Sequence, residues 1–548
     1  MPTFNLVDEP WIPCVMADHG GSVRELNLRE TLLDCSFIRE ILDPSPLVTL
    51  TLHRVLLAIV HRVFGPEDSA KWQALRRRGS LDPQPLLSYL DRWHGRFDLF
   101  DACQPFYQSP SLNFQYQHSI ALLVPEMASS ANSATLFDHT LVASLTPAQS
   151  ARYLIAFQSF AVGGLISLEK GQDPRLYKFV DAAPLTRASV ILVKGANLFE
   201  TLMLNLHQLS ATDAEPFESS GDDAPLWERD EEIHVGDRSP TGYLDLLTWP
   251  SRRIRLRSSV GVDGTVSVNS VVIMKGSQFP DEWSSHGKET MVAFKRNPKP
   301  SKGQDPWLPL AFRDDKASWR NSLALLQSVE EDQDRPKTVN WLHDLVWEGA
   351  LDRRLVFPLD IYGVSTDKAL VRYWRHERLP LPLAYLSDGD LLSRLKDGLE
   401  LAESVGKLFT GGFVTVTTRE GPKRVPSPFH KLVAVVLSPV DDVKADAGAV
   451  GKLLEHLAPG RLYWSRLETP FKRFMVSLAE EKVGNKPEAA FLEWVVALRD
   501  SAMDAFREAT LGLDGSGRSL RAVALAEREF SSRLRELLDE RLKDTEEV

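Results

Sequence analysis

The chain has 548 residues, 43% of them hydrophobic, and carries 64 Lys and Arg against 75 Asp and Glu, a formal net charge of -11 at pH 7. This length is too great for one core and predicts two domains or three subdomains. The acidic balance argues against an indiscriminate coat on nucleic acid, whose affinity is summed phosphate neutralisation, so any nucleic acid must meet a local patch.

At the N-terminus, FNLVDEPWIPCVM reads as strands and turns, followed by the turn Gly20-Gly21 and by VRELNL before a helix. No basic region precedes an apolar stretch there, and no run approaches about 18 apolar residues, so secretion and membrane spanning are not expected. Cys14, Cys35 and Cys103 lie far apart, with no CxxC pair and no histidine spacing that completes a zinc site. They read as reduced thiols of a cytoplasmic protein. The stretch Leu47 to Phe64 keeps apolar residues at helical spacing and predicts a buried helix, with His53 and His61 structural and on or near its polar edge. From Ser210 to Asp237 acidic residues scatter among Gly, Ser and Pro, the composition of a mobile surface loop.

The next segment, LTWPSRRIRLR from Leu247 to Arg257, concentrates Arg252, Arg253, Arg255 and Arg257. As a strand of period two it puts Arg253, Arg255 and Arg257 on one face and Ile254 and Leu256 on the other, charged outward and packed inward. Those arginines either pair with the acidic stretch before them or present a row of forked donors to phosphates. Lys288, Lys295, Arg296 and Lys299 then mark the region Lys275 to Lys302 as an exposed basic loop or hairpin. After Leu383 the chain reads as long helices, roughly Asp388 to Leu408, Gly448 to Lys482, Pro487 to Leu511 and Ser519 to Leu542, with a possible break at Pro459-Gly460 and a hairpin at Gly411 to Val425. The predicted fold is α+β, a large mixed α/β N-terminal domain over residues 1–382 followed by a C-terminal four-helix bundle over 383–548.

Compact catalytic signatures are missing. Leucine follows the lysine in both Gly406-Lys407 and Gly451-Lys452, where a phosphate loop needs a hydroxyl, and neither GxSxG nor HExxH occurs. His343-Asp344 is an HD pair on a helical stretch with no second histidine close by. It supports the alternative of a metal-dependent nucleic-acid hydrolase. The leading expectation is a chain that binds and positions, with no catalytic residue, metal or cofactor.

FNLVDEPWIP and LTWPSRRIRL together resemble the CasA family, the large subunit of the type I-E CRISPR surveillance complex Cascade. Further correspondences occur in the same order: QPFYQ (Gln104 to Gln108), Phe137 to His139, Gly163-Gly164, the isolated Trp227, IMKG (Ile273 to Gly276) and RHERLPLP (Arg375 to Pro382). The resemblance implies a subunit at the 5′ end of the guide RNA that reads the protospacer-adjacent motif (PAM) in duplex DNA, opens the first base pairs and recruits a helicase-nuclease. Its partners would be guide-RNA-loaded Cascade subunits, the 5′ handle of that RNA, PAM-containing double-stranded DNA and the nuclease, with no membrane. By this resemblance Gly163 and Gly164 form a glycine loop whose backbone enters the minor groove, although by themselves they also read as a helix C-cap. Lys275 matches the lysine that reaches into the same groove. Gly363, Val364, Ser365, Thr366, Asp367 and Lys368 align with a wedge loop, and read without the resemblance they form a polar turn. Phe137, Asp138 and His139 fall where the family touches the RNA handle and its cap subunit, with ring stacking on an unpaired base as the physical use.

Overall fold

The computed structural model describes residues 2–18, 20–125, 144–208, 222–300, 305–313, 316–327, 332–367, 370–409, 413–418, 421–438, 445–484 and 489–546. The chain divides into two compact units, Met1–Leu386 and Ser387–Val548. The first mixes helices with several small sheets.

The centre of the first unit is the helix Pro46–Phe64, buried at every position from Leu47 to His61. It is long and apolar enough to cross a membrane by composition, yet 83% of that window is buried within the fold. The expected polar edge is not there. His53 and His61 are 0% and 2% exposed, packed into the core with His53 Nε2 buried away from any hydrogen-bond partner among the described residues. Thr51 Oγ1 donates to Leu47 O at 3.0 Å, His53 Nδ1 lies 2.8 Å from Thr49 O, and the Arg54 fork grips Glu289 at 2.9 and 3.1 Å.

Among the described residues the first unit holds four antiparallel three-stranded sheets, three of which carry the motifs singled out in the sequence. In one, Ile12–Met16 lies between Val23–Leu26 and Ile38–Ile41; in another, Val266–Lys275 lies between His118–Ser119 and Arg252–Val260; in the third, Val356–Asp367 lies between Leu370–Pro382 and Val190–Val193. The motifs that carry the family resemblance are largely core. Trp11, Phe97, Phe106, Tyr107 and Trp227 form one aromatic cluster, with Trp11 against Phe106 at 6.5 Å and Phe97 against Trp227 at 5.3 Å between ring centres. Gln108 stitches this cluster to the arginine strand, donating to Leu99 O at 2.8 Å and accepting from Leu256 N at 2.7 Å.

Two predicted surface loops are exposed only in part. Residues 209–221 of the acidic stretch lie outside the described residues; of the remainder Asp230, Glu231 and Glu232 are exposed as expected, but Asp223 and Glu228 are built into the fold. Asp223 is buried and accepts from the backbone of Leu244 and Asp245, while Glu228 takes both Arg62 and the Tyr89 hydroxyl. In the basic stretch the expectation holds for the cations, since Lys295, Arg296 and Lys299 are exposed and Phe294–Arg296 pairs antiparallel with Trp307–Pro309, but Glu289 to Phe294 are buried and Glu289 is tied inward by Arg54.

The second unit is helical apart from the hairpin Phe413–Thr418 and Gly421–Pro426. Its described helices are Gly389–Gly406, Pro428–Leu437, Ala447–Leu457, Pro459–Arg466, Glu468–Gly484, Ala489–Leu511 and Gly517–Glu546. The stretch from Gly448 to Lys482 is therefore three helices. Left-handed Ala458 (φ 44°) precedes Pro459, which lacks the N–H to continue the helix before it. Their core includes Phe474 stacked on Trp494 at 5.3 Å, both against Gly398, where a Cβ would lie 2.6 Å from the Phe474 ring.

Candidate nucleic-acid interface

The strand Arg252–Val260 and its partner Val266–Lys275 position the candidate site. Arg252, opposite Lys275 in register, is 1% exposed. Its guanidinium donates to three carbonyls, Ser251 O at 2.9 Å, Val162 O at 3.1 Å and Asp181 O at 2.7 Å. Burial away from water pulls its pKa down to about 10, so it remains a cation at neutral pH. The two carbonyls beyond its own neighbour flank a hairpin that begins at the candidate glycines.

The helix Pro147–Phe160 ends at Ala161, whose φ of -59° is not left-handed. Gly163 and Gly164 are therefore not the helix cap. A Cβ on Gly163 would lie 2.8 Å from Ala182 N and 3.0 Å from Val180 O, so glycine is required by backbone-to-backbone approach. Gly164 has φ 141°, which L side chains rarely adopt, and starts the two-residue strand Gly164–Leu165 that pairs with Phe179–Val180. Lys275 ends its strand at the same place. Its Nζ donates to Leu176 O at 2.9 Å, inside that hairpin. Gly163, Gly164 and Lys275, more than a hundred residues apart in sequence, are thus brought together, and Arg252 is the clamp that does so.

Arg253 and Arg255 are engaged inside the fold, Arg257 is turned outward, and none of the three is paired with the described part of the acidic stretch before them. Arg253 bonds Glu169 at 3.2 Å and Ser111 Oγ at 3.3 Å, and Arg255 donates to Leu112 O at 2.6 Å with its guanidinium 4.4 Å from the centre of the Phe114 ring. Arg257, the exposed end of the row, donates to Gln117 Oε1 at 2.9 Å. Residues 111–117 lie over this face of the strand pair, with Leu112 packed on Val272 and Met274, and a row of period two becomes a clamp on that segment.

The expected wedge turn is also different. Gly363 to Asp367 belong to the strand Val356–Asp367, paired antiparallel with Leu370–Pro382, and the reversal comes after Asp367; Lys368 lies outside the described residues. Val364 and Ser365 are buried, and a Cβ on Gly363 would meet Ala188 O at 2.5 Å and the Phe312 ring at 2.8 Å. Packing demands on these residues override their polar-turn composition. Phe137, Asp138 and His139 lie outside the described residues. On the helix Lys337–Trp347, His343 Nδ1 and Asp344 Oδ1 are 2.9 Å apart and bonded to each other, with both side chains partly exposed. Among the described residues no group of three His, Cys, Asp or Glu side chains is arranged to hold a metal.

The family model described as CRISPR-associated protein Cse1 matches residues 5–505. A CRISPR-associated protein CasA/Cse1 from Thermus thermophilus is 32% identical over 558 aligned residues, covering 98% of this chain and 98% of that protein. A crystal structure of Thermus thermophilus CasA superposes with a TM-score of 0.75 at 28% identity, covering 98% of this chain and 100% of that one. A chain of a CRISPR RNA-guided surveillance complex shares the fold at a TM-score of 0.70 and 18% identity, covering 97% of this chain and 100% of that one. Matched along nearly its whole length in both sequence and fold, the chain belongs to the CRISPR-associated Cse1 (CasA) family.

Proposed function

We propose that this chain is the non-catalytic large subunit of a type I-E CRISPR RNA-guided surveillance complex in the cytoplasm, and that it reads the PAM in duplex DNA. The observation that carries this reading is the convergence of Gly163, Gly164 and Lys275 at one edge of the strand pair. A backbone without side chains beside a lysine suits the minor groove, which separates mainly A·T from G·C and so tolerates several PAMs. The hairpin end from Gly363 to Lys368 is assigned to opening of the first base pairs, and Phe137, Asp138 and His139 to the 5′ handle of the guide RNA. Residues 1–382 would serve these contacts. The helices of 383–548, read as a four-helix bundle with added turns, would face neighbouring Cascade subunits, and the assembled surface would recruit the helicase-nuclease.

The test adds the full chain to a guide-loaded complex lacking its large subunit and compares binding of duplexes with and without a PAM. Lys275→Ala is expected to lose PAM discrimination and Lys275→Arg to retain part of it, whereas unchanged discrimination in Lys275→Ala contradicts the reading. Gly164→Asp is a poorer probe, because its backbone conformation is itself strained for any side chain. Shortening the hairpin end around Asp367 and Lys368 is expected to slow R-loop formation on paired DNA and to spare a target already unpaired beside the PAM. Unstacking a step costs a few kcal/mol and later pairing is nearly balanced. Equal impairment on both targets would assign that end to binding or folding instead.

A further inference from the structure

The hairpin that starts at Gly164 carries an exposed apolar face. Leu165 and Phe179 stand opposite each other in antiparallel register, which sets both side chains on one side of the hairpin. They are 77% and 58% exposed, and Leu176 beside them is 61% exposed. Three large apolar side chains in water on so small an element cost solvation free energy that folding does not recover. Between them stand Lys170, Arg175 and Lys178, all exposed and without a side-chain partner among the described residues. The acidic residues of the segment are differently placed. Glu169 is bonded to Arg253, Asp173 accepts from Arg175 N at 2.9 Å, and Asp181 stands at the base beside Arg252.

The hairpin is held in place despite its exposure. Ile166 N bonds Lys178 O at 2.9 Å, Lys170 N bonds the Tyr116 hydroxyl at 2.7 Å, His118 Nε2 lies 3.0 Å from Ser167 Oγ, and Lys275 and Arg252 grip its carbonyls. Apolar side chains interleaved with unpaired cations on a fixed scaffold match one partner: the minor groove of duplex DNA lies between two rows of phosphates, and proteins that enter it set Phe and Leu as wedges against base steps while their cations neutralise phosphates.

We infer that the hairpin Gly164–Val180 is a second duplex-binding element, its Leu165–Phe179 edge seated in the minor groove next to the PAM and its Lys170, Arg175 and Lys178 on the flanking phosphates. The inference rests on the PAM-reading function proposed above and adds to it a sequence-independent grip. It is tested in the reconstituted guide-loaded complex, with PAM-containing and PAM-free duplexes titrated across salt. Replacing Lys170, Arg175 and Lys178 together by Ala is expected to lower the slope of log affinity against log salt by about 0.9 per lost phosphate contact, for both duplexes. The charge-conserving set Lys170→Arg, Arg175→Lys and Lys178→Arg restores the slope. Leu165→Ser with Phe179→Ser is expected to weaken duplex binding by about tenfold without changing the slope. Wild-type affinity and slope in both sets overturn the inference, while loss of discrimination in Lys275→Ala would leave the PAM-reading function standing. Loss of incorporation into the complex, with duplex binding by the free chain intact, overturns it in favour of a protein or guide-RNA contact. Because the replaced side chains are exposed, thermal unfolding is expected to be unchanged, and the single variant Lys178→Ala gives the slope test if the triple set is unstable.

Discussion

Arg252 and Arg257 belong to one strand and one motif, yet the fold asks different things of them. Arg252 is itself buried and its guanidinium donates to three backbone carbonyls. Arg252→Met keeps the volume but orphans those acceptors, and the expected loss is about 3 kcal/mol in urea or thermal denaturation. Arg257 is exposed and bonds one side-chain amide, so Arg257→Ala is expected to stay within about 0.5 kcal/mol of the parent. Equal losses for both would show that burial does not set the role of the row. Alternation of charge and apolarity is visible in the sequence, but the segment 111–117 that covers the charged face is more than a hundred residues away. That is why a row resembling a phosphate strip is spent on internal carbonyls, Glu169 and Phe114.

At the scale of elements, the helix Pro46–Phe64 ties pH to stability. Burial pushes His53 down to about 3, and His61 is held well below its ordinary 6.5 by burial and by nearby His207, itself pushed down to about 3 by burial. All three are neutral in the folded chain at mildly acid pH, while the unfolded chain takes up protons there. The unfolded state then binds more protons, so stability falls as pH drops from about 6.5 toward 3, by about 1.4 kcal/mol per pH unit for each histidine. Burial disfavours the Asp360 carboxylate, but hydrogen bonds from Arg378 and His376 outweigh it and hold its pKa well below 3.8, so its contribution is lost only at lower pH. Urea midpoints at pH 7.5 and 5.5 are expected to show the decline, with a shallower one in His53→Gln. A midpoint flat over that range would mean that the histidines titrate normally in the folded chain. The helix itself is legible from its spacing. The burial of its histidines is not, because their neighbours Asn205, His207 and Tyr243 come from other elements.

For the whole molecule, each unit closes around its own apolar core. The first is built on Pro46–Phe64, and the second on Phe474, Trp494, Phe506 and Phe530 with their neighbours. Residues 1–386 produced alone are therefore expected to unfold in one cooperative transition with native-like near-UV dichroism. A broad, non-cooperative melt would mean that the first core is incomplete without the second.

Period and composition were enough to mark the long helices, the hairpin between residues 411 and 425, and the strand of arginines, since these arise from spacing within a single segment. The break at Pro459 was legible too, because proline ends a helix whatever its surroundings. The motifs FNLVDEPWIP, QPFYQ and LTWPSRRIRL identified the family, and the structure explains their distinctiveness as core packing: Trp11, Phe106, Trp227 and Trp249 are almost wholly buried. Only the tertiary structure decided which residues meet. It set Gly163 against the backbone of Val180 to Ala182, drew Lys275 to Leu176, and turned a predicted polar turn at Gly363 into packed strand. Those outcomes depend on contacts between distant segments, whose close approach a one-dimensional pattern does not encode.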